Sequence, residues 1–411
     1  MNNNFQRSLP VRPNLDQLRN QAKDLLKSFK NGDPDANAEF AAALSTKPGQ
    51  TEPTLADAQW VLAKSYGANN WNRLVECCHT VEAIWKNDIE GLRALIKKHP
   101  HLLVESVRIR PSNWGSPMAY AANLGHKEMV QMLADLGAQD LQHAFERACL
   151  QGKIETAKML FDQGARPDSK ALLGPCETLN PQGLRLLLDL GGEFDLLEAV
   201  GAVLQTYSRN APGKHACLKL LAEHGLPLPS TPVMALHLGR IDLLERNLAQ
   251  DPKLLNQTFT HREIYPLELG CSEDPTYALH GTPLDGGTLL HLAVDFDEFE
   301  IAQWLLAKGA DANAKAGVDE DGFGGHTALF GTVVSQPYRA MVKGHVRFTR
   351  LLLQHGADAS FKASLRKELR FVEDETLHEF RDVTAAEWGE RFQDQDWVNP
   401  AALKLVRTDL V

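Results

Sequence analysis

The chain has no block of Lys and Arg: its 43 basic residues are dispersed among 53 acidic ones, for a net charge of -10 at pH 7. That balance argues against a general electrostatic grip on nucleic acid or on an anionic membrane surface, both of which rest on clustered cations. No apolar run approaches the roughly 20 residues that cross a bilayer, and residues 1–10 lack the apolar stretch of a secretory signal. A cytoplasmic protein is expected. The six cysteines, Cys77, Cys78, Cys149, Cys176, Cys217 and Cys271, include no CxxC pair, and the adjacent Cys77 and Cys78 cannot easily bridge each other. They read as reduced core residues, because a small buried thiol behaves as a hydrophobe. A phosphate-binding loop, a GxSxG elbow, an HExxH pair and a dinucleotide fingerprint are also missing. No cofactor and no metal site are expected, and the enzyme reading is weakened without being closed.

What is present is length, an ordinary core composition and a repeat. With 411 residues, 43% hydrophobic and 23% charged, the chain exceeds one compact core and calls for several domains or a repeat array. Ser116-Pro117-Met118-Ala119-Tyr120-Ala121-Ala122 leads to Gly137-Ala138, and Thr288-Leu289-Leu290-His291-Leu292-Ala293 leads to Gly309-Ala310-Asp311-Ala312-Asn313. From first residue to Gly the distance is 21 in both. A second echo, Ile89, Leu92, Pro100, Leu102 and Leu103, recurs 152 residues later as Ile241, Leu244, Pro252, Leu254 and Leu255.

The physical roles of these residues are consistent with a helix pair. Thr288 and Thr327 stand where a hydroxyl can cap a first turn. Ile301, Trp304, Leu305 and Leu306 keep helical spacing. Gly137, Gly164, Gly191, Gly225, Gly309 and Gly356 follow Leu-rich helices, where the chain needs a left-handed residue to stop. One such pair cannot cover its own apolar face, so pairs must stack.

This pattern resembles the ankyrin repeat, and Gly309-Ala310-Asp311-Ala312-Asn313 is that family's ending almost letter for letter. The resemblance implies an all-α ankyrin-repeat solenoid of stacked helix-turn-helix pairs with finger loops. Residues 79–411 are assigned to the array, in about nine units near 79–108, 114–140, 141–170, 171–195, 196–230, 231–257, 286–316, 325–361 and 378–408. Several units are degenerate. Gly137, Gly164 and Gly191 are only 27 residues apart, against about 33 in the family. Gly225 and Gly309 are 84 apart and Gly309 and Gly356 are 47 apart, which leaves insertions at 258–285 and 317–326. Residues 1–78 read as an N-terminal helical cap, with Leu15, Leu18, Ala22, Leu25, Leu26 and Phe29 on one stripe. Asn14-Leu15-Asp16-Gln17-Leu18, Gln21-Ala22-Lys23-Asp24-Leu25-Leu26 and Asp57-Ala58-Gln59-Trp60-Val61-Leu62-Ala63 are similar to a module that precedes ankyrin repeats in many bacterial proteins, which implies a bacterial origin. Thr384-Ala385-Ala386-Glu387-Trp388 begins a last degenerate repeat, and Asp394 to Asp396 make its turn polar.

Chemistry concentrates in the insertions. The first carries His261, Arg262, Glu263, Tyr265, Tyr277, His280 and Asp285, and the second carries Asp321, Phe323 and His326. As fingers of adjacent repeats they should lie side by side and wall a pocket. Arg108, Arg110 and Trp114 come from an earlier finger, which a curved array would carry on the same concave side. Arg suits a bidentate grip on a carboxylate or phosphate, and Trp and Tyr offer apolar faces with a polar edge. Asp319, Glu320 and Asp321 lack the spacing of a calcium loop, since position twelve is Phe330. His291 matches the family's repeat histidine, which the resemblance implies ties one turn to the next.

Two functions remain open. The first is a protein-interaction scaffold using its concave face and finger loops, with a protein partner and neither nucleic acid nor membrane. The alternative is a small-molecule enzyme or binding protein, with a pocket between the insertions and His261, Glu263, His280 and Asp285 as acid/base candidates.

Overall fold

A computed structural model describes residues 6–44, 52–274, 281–335, 345–368, 377–392, 395 and 397–409. Tyr277 and His280 lie outside the described residues, as do Asp394 and Asp396. The chain divides into two compact units, Met1–Arg166 and Pro167–Val411.

In the first unit, α1 (Leu15–Lys30) begins at Asn14, whose side chain accepts from the Gln17 amide at 3.0 Å. The helices α2 (Pro34–Leu44) and α3 (Leu55–Ser65) pack with α1 around Phe40, Ala58 and Val61, with the Phe29 ring 4.7 Å from that of Phe40. Next comes α4 (Trp71–Trp85), which runs through residue 78, so the expected end of the cap falls inside a helix. Among the described residues, the remaining α-helices of this unit are α5 (Ile89–Lys98) and the pairs α6 (Pro117–Leu124) with α7 (Lys127–Asp135) and α8 (Leu141–Leu150) with α9 (Ile154–Asp162). Gly137 ends the α7 turn at φ +94°, a conformation that a Cβ would strain.

Among the described residues, the second unit holds six helix pairs. They are α10 (Leu173–Glu177) and α11 (Pro181–Leu190), α12 (Leu196–Gln205) and α13 (Ala211–Glu223), α14 (Pro232–His237) and α15 (Ile241–Gln250), then α17 (Leu289–Asp295) and α18 (Phe299–Ala307). After them come α19 (Ala328–Val333) and α20 (Arg347–Gln354), and α21 (Ala385–Glu390) and α22 (Pro400–Asp409). Between α15 and α17 lie β1 (Thr258–Phe259), the short α16 (His261–Ile264) and β2 (Gly287–Thr288), with β1 antiparallel to β2.

Two features of this unit have no counterpart in the repeat pattern. One is a hairpin of β3 (Lys362–Glu368) and β4 (Leu377–Thr384), bulged between Ala363 and Leu365. The 317–325 loop joins it through the Gly324 and Ser364 backbones, with Gly324 N–H donating to Ser364 O at 2.6 Å. The other is the path of the 258–285 insertion, which folds back over the first helices of the pairs. Gly270 is packed so tightly on α12 that a Cβ on Gly201 would lie 2.2 Å from its carbonyl oxygen. The Ser272 amide donates to Gln205 Oε1 at 2.7 Å, and His237 Nε2 of α14 donates to Ile264 O at 3.4 Å. Farther along, the Thr282 hydroxyl donates to Val334 O at 2.9 Å and accepts from Trp388 Nε1 of α21 at 3.1 Å. The described residues of the insertion, 258–274 and 281–285, form a strap across the first-helix face of this unit.

Candidate finger-edge groove

The strap and the second insertion meet. Gly317 N–H donates to Gly286 O at 2.8 Å, and a Cβ on Gly286 would lie 2.8 Å from that same nitrogen, so the two loops touch backbone to backbone. Between them and β3 lies a groove with a cavity volume of about 340 Å³, whose walls include Phe259, Asp285, Val318, Phe323, His326 and Arg366. Phe323 is buried under two guanidinium groups, with Arg366 at 4.4 Å and Arg381 at 4.1 Å from its ring centre. Arg366 in turn spans Asp319 and Asp321, reaching Asp321 Oδ2 at 2.9 Å. The carboxylate of Asp319 sits below its ordinary pKa, first because the Phe323 amide donates to it and then because of Arg366.

His326 lines the groove, and His291 stands behind it. His291 Nδ1 accepts from the Thr288 amide at 3.1 Å and hydroxyl at 2.9 Å, and its Nε2 donates to His326 O at 3.0 Å. His326 Nε2 donates to Pro283 O at 3.0 Å. Burial holds both rings neutral, bringing His291 down to about 4 and His326, with His291 beside it, to about 3. These two rings tie three turns together through their carbonyls.

The expected acid/base groups have backbone duties. Glu263 closes a capping box, accepting from the Thr260 amide and hydroxyl at 2.8 Å each. Asp285 Oδ1 accepts the His261 amide at 2.6 Å, while the His261 ring faces Ser272 O at 3.2 Å. Tyr265 is buried against Phe296, 6.3 Å between ring centres, and burial raises its phenol. Arg262 is exposed. In the first unit, Arg108 donates to Leu9 O, Arg110 donates to Gln6 Oε1 at 3.0 Å and Ser65 O at 3.1 Å, and Trp114 stacks 4.6 Å from Tyr120. Those three side chains hold the N-terminal segment and a helix.

The model of the ankyrin repeat matches residues 285–316, the segment that carries β2, α17 and α18. The chain carries an ankyrin repeat. Two solved ankyrin domains are similar to it. The human ASB11 ankyrin repeat domain is 14% identical, with 71% of this chain and 97% of that one covered and a TM-score of 0.26. The ankyrin repeat domain of Bcl-3, a member of the IkappaB family, is 19% identical, with 71% and 98% covered and a TM-score of 0.22. No curated protein matches the chain. Within the matched ankyrin repeat, Thr288 is the helix cap and His291 the turn-linking histidine, and Asp285 opens the repeat on the groove side.

The ankyrin pattern gives no hint of a buried charge cluster behind the strap. Arg209 Nη2 meets Asp295 Oδ2 at 2.6 Å with both side chains 3% exposed, and Lys214 Nζ meets Glu298 Oε1 at 2.8 Å with both 4% exposed. His215 Nε2 adds a second contact to Glu298 at 2.9 Å. Burial pushes the Glu298 carboxyl upward, and Lys214 and His215 more than reverse it. The Phe296 ring receives Arg209 at 4.9 Å and Lys214 at 4.6 Å. Lys367 of β3 donates to Gly281 O at 2.7 Å, and burial brings its ammonium down to about 7. Loop polarity alone would not reveal these residues, but unpaired-looking charges inside Leu-rich helices, such as Lys214 next to Cys217 and Leu218, were a signal.

All six cysteines are buried, and burial raises Cys77, Cys149, Cys217 and Cys271 to about 12, so none is a poised nucleophile. Among the described residues, no three His, Cys, Asp or Glu side chains are grouped to hold a metal ion, and no helix is long and apolar enough to cross a membrane.

Proposed function

We propose that this chain is a protein-binding scaffold whose partner docks on the finger edge of the second unit, at the groove between the strap and the 317–325 loop. The observation that carries this reading is the division of labour in the insertion. Its middle occupies the first-helix face, where Gly201, Gln205 and His237 are already in contact with it. Its end, with Asp285 and Gly286, leaves an open groove beside Val318, which is 61% exposed. An exposed aliphatic residue rimmed by Asp319, Asp321 and Arg366 is the mixture of apolar centre and charged edge found in protein interfaces.

The small-molecule alternative has one observation in its favour, the meeting of the two insertions. Because Glu263 closes a capping box and Asp285 holds the His261 amide through Oδ1, such a site would bind rather than catalyse. The test is a photo-crosslinking residue placed at Val318 and, separately, at Lys219 on the exposed side of α13. Adducts are expected at Val318 and should be lost when 319–323 is replaced by Gly and Ser with the crosslinking residue kept at 318. Adducts at Lys219 alone would overturn the finger-edge reading.

A further inference from the structure

The hairpin of β3 and β4 has one edge occupied and the other without a neighbour. On the outer side of β3, Ser364 exchanges backbone hydrogen bonds with Gly324, its N–H donating at 3.3 Å and its carbonyl accepting at 2.6 Å. Successive residues of a strand turn their backbone groups to opposite sides, so Leu365 and Lys367 face β4, where they stand across from Phe380 and His378. The bulge puts its extra residue in β4, which leaves the alternation of β3 unbroken. The backbone groups of Leu377 and Glu379 therefore point away from β3, and those of Arg381, next after Phe380, do the same. Among the described residues, nothing pairs with that side of β4. Glu379 and Arg381 are exposed, and Leu377 is 54% exposed.

A bare strand edge is a template for another strand, and charges along it decide which strand can join. Here the order Glu379-Phe380-Arg381 places opposite signs two residues apart. Laid antiparallel against a second copy with Phe380 facing Phe380, Glu379 of each copy stands opposite Arg381 of the other, and the residues so paired are those whose backbone groups are unused. A slide of two residues sets Glu379 against Glu379 or Arg381 against Arg381, and a slide of one sets unused backbone groups against used ones. Arg366, across from Glu379 within the hairpin, is committed to Asp319 and Asp321, so the Glu379 carboxylate is left for an outside cation. Arg381 lies over the Phe323 ring and keeps its charge on the exposed face. Charge thus selects a single register, and that register has the twofold symmetry of an isologous dimer. We infer that two copies of this chain join through β4, in a four-stranded sheet ordered β3, β4, β4, β3. The 317–325 loop, β3 and β4 follow one another in space, so this edge lies on the far side of β3 from the loop that walls the groove, and self-pairing goes beyond the finger-edge reading.

The test is sedimentation of the full chain from micromolar to near-millimolar concentration, where the mass should rise toward that of two chains. Glu379→Arg and Arg381→Glu, each alone, set like charges opposite each other twice and should weaken self-association about ten-fold or more. Mixed one to one, these two variants should form a dimer as tight as the wild type, because opposite signs meet again; a merely structural role for either residue would not recover on mixing. Glu379→Pro removes only an N–H that points off the sheet, so it should abolish the dimer while leaving the Tm of the dilute chain unchanged. Amide exchange of the wild-type chain needs no variant: the amides of Glu379 and Arg381 should slow as concentration rises, whereas those of His378 and Phe380, already turned to β3, should change far less. A chain that stays monomeric throughout overturns the inference, as does exchange at Glu379 and Arg381 that ignores concentration. A dimer that survives Glu379→Pro, or folded single variants that do not recover on mixing, places the contact elsewhere and overturns it too.

Discussion

Arg209 and Asp295 meet at 2.6 Å with both side chains 3% exposed, whereas Arg366 meets Asp319 and Asp321 where those carboxylates are 43% and 69% exposed. The chemistry is the same, a guanidinium and a carboxylate, yet the two regions use it differently. Behind the strap, the pair has lost its water, so its worth depends on both members being present. At the finger edge, water competes with every contact, and the pair shapes a surface while adding little to stability. The second unit therefore has one face closed by its own chain and one edge left open.

Breaking the closed region should have the largest effect. Asp295→Ala leaves Arg209 buried without its counter-charge and should cost about 3–5 kcal/mol in urea denaturation. A loss under about 1 kcal/mol would mean that the pair is solvated and the contrast false.

Acid should act through the buried histidines. His291 is held neutral at about 4 in the fold and returns to an ordinary value near 6.5 when unfolded. The unfolded chain therefore binds the proton first, so this stability is complete above about pH 6.5 and is lost as pH falls toward 4. At about 1.4 kcal/mol per pH unit, the loss is on the order of 3 kcal/mol, read as a falling Tm over that window. A Tm that is flat from pH 7 to 4 would contradict the buried, turn-linking role.

A smaller change should lift the strap. Gly201→Ala improves helix propensity by about 1 kcal/mol, yet its Cβ meets the Gly270 carbonyl at 2.2 Å. A net destabilisation of about 1–3 kcal/mol is expected, with faster amide exchange in residues 264–272. Stabilisation instead would show that the strap sits away from α12. At the open edge, Arg366→Gln should leave the denaturation midpoint unchanged while weakening crosslinking at Val318, which sharpens the distinction between the two regions.

The array was legible where a repeat leaves periodic marks. Thr288 to Ala293 announce α17 and its cap, Gly309 announces its partner's end, and Thr384 with Glu387 announces α21 through a capping box. The capping box Thr260-His261-Arg262-Glu263 was equally readable, and it shows why a carboxylate that looked catalytic is a cap. The strap was not readable, because its course is set by contacts such as Gln205 to Ser272, 67 residues apart, and a loop without period does not reveal what it lies on. The hairpin escaped for a related reason. Its strands read Lys362-Ala363-Ser364-Leu365-Arg366-Lys367-Glu368 and Leu377-His378-Glu379-Phe380-Arg381, where charge and a bulge blur the alternation that marks a strand. That the two fingers lie side by side follows from repeat order, whereas the ion pairs at the groove join residues as far apart as Asp319 and Arg366, which no local pattern announces.

The most direct test of the closed face and open edge is amide hydrogen exchange on the intact chain. The Ser272 amide, which donates to Gln205, and the Thr282 amide, which donates to Val334 O at 3.1 Å, should exchange only through large-scale opening, orders of magnitude more slowly than exposed Glu320. Exchange of Ser272 and Thr282 at the rate of Glu320 would mean that the strap does not cover the first-helix face, and the account would fail at its centre.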